Sequence, residues 1–129
     1  MTETWARTGT LPRLIAPDCL WTGGCLAASV PGFLAHYSCF LIKGMRATIL
    51  IDTGHPIHAE QVERDIAGFL GDRPLDFIFP THAELPHAGL LERWLRKWPE
   101  AVAVGDMRDW HLYLPQMTHR FRQVAPGEV

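Results

Sequence analysis

The pattern of apolar and polar residues predicts strands in the first half of the chain. Apolar runs at 37–42 and 47–51 flank Lys43-Gly44-Met45-Arg46, a spacing typical of a β-hairpin with a glycine-bearing turn. The second run, Ala47-Thr48-Ile49-Leu50-Ile51, is almost continuously apolar, which favours a strand covered on both faces in a layered α/β protein. We therefore expect a hairpin within a buried sheet.

The chain before this hairpin predicts less regular structure. Residues 1–18 contain Pro12 and Pro17 and predict an irregular lead-in, which leaves 19–129 as a single domain. Within that domain, Gly23-Gly24 separates two short apolar segments and predicts a turn between two antiparallel strands.

Two later segments have apolar residues at helical spacing. Residues 58–70 predict an amphipathic helix that ends at Gly71, and residues 90–98 predict a second helix that Pro99 ends. Because the apolar run 75–79 follows the first helix, we expect it to lie parallel to the strand at 47–51 through a helical crossover.

The last part of the chain continues this alternation. Short strands are predicted at 101–104 and 121–125, with a helix between them that Asp106 caps and that runs to about Leu114. The fold class is therefore α/β, a mixed β-sheet with helices packed on it.

Composition restricts the function. The net charge of -2 and the isoelectric point near 6.4 provide no concentrated basic surface, so nucleic acid is not an expected partner. No run approaches the roughly 18–20 apolar residues of a membrane span, and residues 1–12 lack a secretory signal pattern, so the sequence predicts a cytoplasmic protein without a membrane partner. Its three cysteines form no Cys-x-x-Cys pair and are expected to be free and mostly buried.

The candidate chemistry lies between a predicted strand and a predicted helix. His82, Glu84 and His87 follow the strand at 75–79, at the carboxyl edge of the sheet, where open α/β sheets bind ligands. In extended backbone, residues two apart point the same way, so His82 and Glu84 can converge on one metal ion. Pro86 excludes a continuous helix, and we expect His87 to open the next helix, where the macrodipole favours a neutral ring.

These elements resemble the N-terminal half of the metallo-β-lactamase superfamily. The resemblance rests on Ile49-Leu50-Ile51-Asp52-Thr53-Gly54, then a helix, then Ile78-Phe79-Pro80-Thr81 and His82-x-Glu84-x-x-His87-x-Gly89. That family's usual motif is His-x-His-x-Asp-His within an αββα sandwich that binds two metals. The resemblance implies that this chain forms the N-terminal half of such a sandwich.

Glu84 in place of the second histidine makes the motif most similar to the di-iron β-lactamase-like domain of flavodiiron and oxygen-binding proteins. This resemblance implies that His82 and Glu84 bind a first metal, that His87 binds a second, and that Asp52 orients a ligand. Pro86 stands where the motif has aspartate, and it has no donor atom. The carboxylate favours iron or manganese over zinc, and with the resemblance to the di-iron branch it makes iron the expected cofactor, ahead of zinc and manganese.

Three functions stay open at this point. The resemblance to the di-iron branch implies an oxidoreductase-like protein that binds or reduces O2 or NO. A hydrolase that uses metal-activated water is the second. The third is a truncated, non-catalytic half-domain that serves assembly. Five further histidines are less favoured candidates: His111 and His119 as additional ligands, and His36, His55 and His58 as residues lining the same edge.

The strands also predict a partner. Residues 47–51 and 75–79 have almost no polar face, so a half-sandwich leaves apolar sheet surface exposed to water. We therefore expect a homodimer in which a second copy covers that surface.

Overall fold

A computed structural model describes residues 11–128, and within them the chain forms one seven-stranded sheet. The strands lie side by side in the order in which they occur along the chain. They are β1 (Arg13–Ala16), β2 (Cys19–Ala27), β3 (Leu34–Lys43), β4 (Thr48–Ile51), β5 (Phe77–Phe79), β6 (Val102–Gly105) and β7 (Phe121–Gln123). Strands β1 to β4 pair antiparallel, whereas β4 to β7 pair parallel. The predicted α/β class with a mixed sheet is confirmed.

Helices connect the parallel strands. Helix α1 (Ala59–Leu70) lies between β4 and β5, and the short helix α2 (Leu85–Ala88) and helix α3 (Leu91–Lys97) lie between β5 and β6. Single turns of 3-10 helix are found at Pro56–His58 and Trp110–Leu112, and a longer one at Pro115–Arg120. The predicted hairpin is confirmed by the pairing of Lys43 with Thr48, and the parallel crossover by the pairing of Leu50 with Ile78. Both predicted amphipathic helices are also confirmed.

Two predictions about the start of the chain are wrong. Residues 13–16 form β1, which pairs antiparallel with β2, so the lead-in is not irregular throughout; residues 1–10 lie outside the described part of the chain. Gly23-Gly24 is not a turn but the middle of one nine-residue strand. A side chain at Gly23 would place Cβ 2.1 Å from the Tyr37 carbonyl oxygen, so glycine is required there because the paired backbone approaches closely.

The predicted helix at 106–114 is also incorrect. Asp106 is exposed and its carboxylate accepts hydrogen bonds from the Arg108 guanidinium. The segment instead forms the 3-10 turn Trp110–Leu112, for which Asp109 is the N-terminal flanking residue without a side-chain cap. Pro115 then opens the separate 3-10 segment Pro115–Arg120, since proline is tolerated in the first turn of a helix.

The core lies between one face of the sheet and the helices. Strand residues on this face are fully buried, and they pack with Val62 and Ile66 of α1 and with Leu91, Trp94 and Leu95 of α3. Helix α1 is fixed to the sheet by the Thr22 hydroxyl, which donates to the Asp65 carboxylate at 2.6 Å. Residues of the opposite sheet face are only half-buried. The helices therefore cover one side of the sheet within the described chain.

The cysteines are free, as predicted, but differ in exposure. Cys39 is buried, Cys19 is half-buried and Cys25 is exposed, so the expectation of mostly buried thiols holds only in part. Burial, followed by the nearby carboxylate of Asp52, raises the pKa of the Cys39 thiol to about 12. The thiol of Cys39 is therefore chemically inert in the folded protein.

Candidate metal centre

The ends of the parallel strands β4 and β5 bring the candidate residues together. Asp52 directly follows β4, and its N–H donates to the carbonyl of Phe79, the last residue of β5, at 2.9 Å. The chain then runs through Thr81 and His82 into α2, for which Glu84 is the N-terminal flanking residue. The expected position at the carboxyl edge of the sheet is therefore what the structure shows.

Three side chains converge at this edge. Glu84 Oε2 lies 3.3 Å from His82 Nε2 and 3.9 Å from His87 Nε2, and one donor atom from each residue lies within 4.8 Å of the others. Within residues 11–128 these three form the one group of histidine, cysteine or acidic residues close enough to hold a metal ion. We call His82, Glu84 and His87 the triad.

The triad is nearly at bonding separation. Two metal–ligand bonds of about 2.1 Å place donors at most about 4.2 Å apart, so the most distant donors, which lie within 4.8 Å of each other, must approach by at least about half an ångström. Such a movement needs only side-chain rotation, because the side chains of His82 and Glu84 are 48% and 70% exposed. Two imidazole nitrogens and one carboxylate oxygen are a donor set that suits iron or zinc, so the residues present fit a bound ion.

A single carboxylate fixes both histidine rings. Asp52 Oδ2 lies 3.0 Å from His87 Nδ1, and Asp52 Oδ1 accepts hydrogen bonds from the N–H and the hydroxyl of Thr81, both at 2.8 Å. The same Thr81 hydroxyl lies 2.9 Å from His82 Nδ1. An ionised carboxylate only accepts hydrogen bonds, so Nδ1 of His87 must carry its proton. Because the hydroxyl proton of Thr81 is directed to Asp52, its oxygen accepts from the Nδ1–H of His82.

Both rings therefore direct Nε2 towards Glu84, and His82 Nε2 is within hydrogen-bond distance of the Glu84 carboxylate at 3.3 Å. For His87 the proton on Nδ1 leaves Nε2 as the nitrogen that can bind a metal, and a hydrogen bond from the other ring nitrogen is the usual arrangement around ligating histidines. The predicted role of Asp52 in orienting a ligand agrees with this geometry for His87. The contribution of Thr81 was missed by sequence reasoning, because a threonine after a strand carries no signal until its contact with Asp52 is known.

The position of His87 differs from the prediction. It lies in the last turn of α2, a helix of only four residues, and does not open the following helix. The expected macrodipole effect therefore does not apply, and the contact with Asp52 accounts for the ring's orientation instead. Pro86 is tolerated because it occupies the first turn of α2, where a missing N–H removes no helical hydrogen bond.

The turn after β4 holds α2 and α3 against the site. The N–H of Thr53 donates to the carbonyl of His87 at 2.8 Å, and the hydroxyl of Thr53 accepts from the N–H of Leu90 at 3.1 Å. The indole N–H of the buried Trp94 donates to the carbonyl of Thr53 at 3.0 Å. These contacts explain why an Asp-Thr-Gly turn and a tryptophan-bearing helix occur together, since each orients the other.

The remaining histidines do not join the triad. His111 Nδ1 contacts the carbonyl of Arg108, and His119 is exposed on the 3-10 segment. His55 Nδ1 accepts a hydrogen bond from the N–H of Ile57, and the His55 ring stacks on the ring of Tyr37. His36 lies on β3, where it pairs with Cys25 of β2. His58 packs against Gly24, where a Cβ would lie 2.6 Å from its ring. These five histidines therefore lie in surroundings separate from the triad.

Comparison with known proteins identifies the family. The sequence profile of the metallo-β-lactamase superfamily matches residues 34–118, which is most of the chain. This chain belongs to the metallo-β-lactamase superfamily. The matched range includes the triad, Asp52 and Thr81, so the resemblance noted in the sequence is confirmed.

The curated relatives and solved structures that this chain resembles include both flavoproteins and metallo-β-lactamases. The chain is similar to diflavin flavoprotein A 1 of Nostoc sp., with 32% identity over 95 residues that span 71% of this chain and 16% of the relative. Diflavin flavoprotein A 2 of the same organism is 31% identical over 54% of this chain and 12% of its own. The chain thus spans about a sixth or less of these relatives.

Two solved structures show the same fold. A flavoprotein from Thermotoga maritima matches with a TM-score of 0.61 and 20% identity, over 72% of this chain and 24% of its own. A metallo-β-lactamase from Cronobacter sakazakii with a HARLDQ motif matches with a TM-score of 0.58 and 29% identity, over 84% of this chain and 36% of its own. The residues at 82–87 read HAELPH and share three letters with that motif. Family membership and these likenesses support a metal-binding protein.

No helix in residues 11–128 is long and apolar enough to cross a membrane.

Proposed function

We propose that the triad holds one metal ion, iron in preference to zinc or manganese, and that the centre binds O2 or NO. The observation that carries this proposal is the pair of hydrogen-bond routes from Asp52, one direct to His87 and one through Thr81 to His82, which turn both Nε2 atoms towards Glu84. A loop whose histidines only capped a helix would need neither route.

The donor set supports a single ion with open positions. Two histidines and one carboxylate on one side of an ion are the ligands of many non-haem iron proteins that react with oxygen. All three donors point to one region, and Pro86 supplies no ligand for a second ion. When bound, iron would supply coordination positions at which a diatomic molecule can bind. The chain's own contribution is to orient the two imidazoles and to place Glu84 between them.

A metal-dependent hydrolase is the second candidate. It is favoured by the likeness to the Cronobacter metallo-β-lactamase, which is the more extensive match by share of this chain. In such a protein the ion lowers the pKa of bound water, and that chemistry works best when the other ligands are neutral. The negative charge of Glu84 reduces this effect, and for that reason we place the hydrolase second.

Metal content and NO binding test the proposal together. The chain is reconstituted anaerobically with ferrous iron, zinc and manganese in parallel, and bound metal is measured by mass spectrometry after desalting. We expect about one equivalent of bound iron per chain. When NO is added to the ferrous protein, we expect an electron paramagnetic resonance signal from a centre with half-integer spin. Zinc retained in preference to iron, together with hydrolytic activity, would favour the second candidate. No retained metal would contradict both and favour the non-catalytic half-domain.

Matched variants identify the ligands. Glu84→Gln and His82→Asn should each reduce retained iron, because each removes one donor of the triad. Glu100→Gln and His119→Asn change the same residue types at exposed positions outside it and should leave the iron content unchanged. Equal loss of metal in all four variants would indicate adventitious surface binding and would refute the assignment.

A further inference from the structure

The buried tryptophan of α3 is linked to the candidate ligand His87 through a single residue. The indole N–H of Trp94 donates to the carbonyl of Thr53 at 3.0 Å, and the N–H of Thr53 donates to the carbonyl of His87 at 2.8 Å. The Thr53 hydroxyl accepts from the N–H of Leu90 at 3.1 Å, so a third hydrogen bond joins the same two segments. Thr53 and Trp94 are both fully buried. Bulk water therefore cannot replace one of these hydrogen bonds when a partner is removed.

The turn after β4 holds His87 at two points. Asp52 contacts the ring at Nδ1, whereas Thr53, the next residue along the chain, contacts the main-chain carbonyl. Because Asp52 and Thr53 are adjacent, a displacement of the turn moves both contacts of His87 together. The φ of Asp52 is 62°, an unfavourable conformation for a residue other than glycine, so the turn keeps its shape only while surrounding contacts hold it. The position of the His87 ring therefore depends on the contact that fixes the carbonyl of Thr53.

We propose that Trp94 is a positioning residue for His87, and that its indole N–H, acting through Thr53, holds the imidazole where it completes the triad. The consequence for metal affinity rests on the function proposed above, because it takes the triad as the site of the ion. His87 Nε2 lies 3.9 Å from Glu84 Oε2, near the limit of about 4.2 Å for two donors of one ion. Functional sites tolerate displacements of only about 0.5 Å, so a small movement of the turn is enough to weaken binding.

The competing interpretation is that Trp94 only fills the core. Packing explains an aromatic residue at this position, but phenylalanine would fill most of the same space without an N–H group. Trp98, just after the end of α3, provides a comparison, because it is half-buried and its ring lies 5.7 Å from the ring of Trp94. Within residues 11–128, the carbonyl of Thr53 accepts a side-chain hydrogen bond from Trp94 and not from Trp98. The two tryptophans thus share a packing environment but differ in their connection to the site.

Metal affinity separates the two interpretations, with zinc as a redox-inert probe. Partners of a ligating histidine change metal affinity by about 10–100-fold, and Trp94 acts one residue farther out, so Trp94→Phe should weaken zinc binding by about 3–10-fold in competition with a chelator. Trp98→Phe should leave the affinity unchanged. Leu95→Val should also leave it unchanged, because it removes packing from a fully buried position of the same helix without removing a donor to Thr53. If the affinities of the three variants simply follow their free energies of unfolding, Trp94 is a core residue and the proposal fails.

A measurement on the metal-free protein distinguishes failure of this proposal from failure of the proposed function. The Nδ1–H of His87, hydrogen-bonded to Asp52, should give a slowly exchanging proton signal in nuclear magnetic resonance spectra of the wild type and of Trp98→Phe. The signal should broaden or disappear in Trp94→Phe, because the turn that carries Asp52 is released. The same signal in all three proteins would overturn the proposal, even if the triad binds metal. Loss of the signal in Trp94→Phe alone, in a chain that binds no zinc or iron, would support the positioning role and contradict the proposed metal centre.

Discussion

Replacing Asp52 by asparagine tests the inferred protonation of the site with almost no change in shape. The wild-type carboxylate accepts three donors: His87 Nδ1 at 3.0 Å, and the N–H and hydroxyl of Thr81 at 2.8 Å each. An amide has one accepting oxygen and one donating nitrogen, so it cannot accept on both sides. The substitution therefore forces one of two unfavourable arrangements.

In the first arrangement the amide oxygen faces Thr81 and the amide nitrogen faces His87. The ring must then accept at Nδ1 and carry its proton on Nε2, the tautomer that cannot bind a metal. In the second the oxygen faces His87, and the amide nitrogen opposes the N–H of Thr81, which leaves that donor without a partner. An unsatisfied donor of this kind costs about 1–3 kcal/mol. Both arrangements lower the population of the binding-competent site.

The expected loss of affinity follows from this competition. Changes to residues that orient a ligating histidine weaken metal binding by about 10–100-fold, which corresponds to about 1.4–2.8 kcal/mol. We expect Asp52→Asn to fall within this range for ferrous iron when affinity is measured by competition with a chelator at neutral pH. The matched control is Asp106→Asn, because Asp106 is exposed and contacts Arg108, away from the triad.

The result that would refute the reasoning is unchanged affinity in a folded Asp52→Asn variant. Circular dichroism and urea unfolding of the metal-free protein establish whether the variant is folded. Should affinity fall only in proportion to a loss of folded protein, Asp52 would have a structural role alone. Loss of affinity with normal unfolding would support its control of the His87 tautomer.

Three further predictions follow from individual contacts. Thr81→Val should weaken metal binding by about tenfold, because it removes the hydroxyl that links Asp52 to His82, whereas Thr81→Ser keeps that hydroxyl and should bind metal as the wild type does. Equal affinities of the two variants in the chelator assay would exclude a role for the hydroxyl. Cys39 should resist thiol reagents at pH 8 until the chain unfolds, because burial raises its pKa to about 12, whereas the exposed Cys25 should react at once; early reaction of both would refute the burial of Cys39. Gly23→Ala should lower the melting temperature, because the new Cβ would meet the backbone of β3. Gly68→Ala lies in a helix and its Cβ meets nothing within 4 Å, so it should raise the free energy of unfolding by about 0.5–1 kcal/mol. A Gly23→Ala variant as stable as Gly68→Ala would contradict the observed register.

The central elements could be predicted because local pattern and tertiary environment agree there. The run at 47–51 is apolar at every position but Thr48, and a strand buried in the middle of a sheet favours that composition. The helix at 59–70 has an apolar stripe with period 3.6, which only a helix packed on one side needs. In both segments the sequence reflects contacts that the residues make in the fold.

The start of the sheet could not be predicted because its structure comes from partners distant in sequence. Leu14, Ile15 and Ala16 of β1 are all exposed, so no alternation of buried and exposed residues marks the strand. Gly23-Gly24 has the composition of a turn, but the pairing of Gly23 with Ser38 and of Gly24 with Tyr37 keeps it extended. Glycine there reflects close approach by β3 and by His58 rather than a change of chain direction.

Asp52 shows why the site residues were predictable while their hydrogen bonds were not. Its φ of 62° lies in the left-handed region, which is uncommon outside glycine but least unfavourable for asparagine and aspartate. The conformation is retained because the Asp52 N–H bonds to the end of β5 and its carboxylate is occupied by Thr81 and His87. These contacts depend on β4 and β5 being parallel neighbours, which no six-residue motif specifies. Because Asp52 and Thr81 contact the Nδ1 side of the two rings, both imidazoles are oriented from the side away from Glu84, whose side chain is 70% exposed and the freest of the three donors.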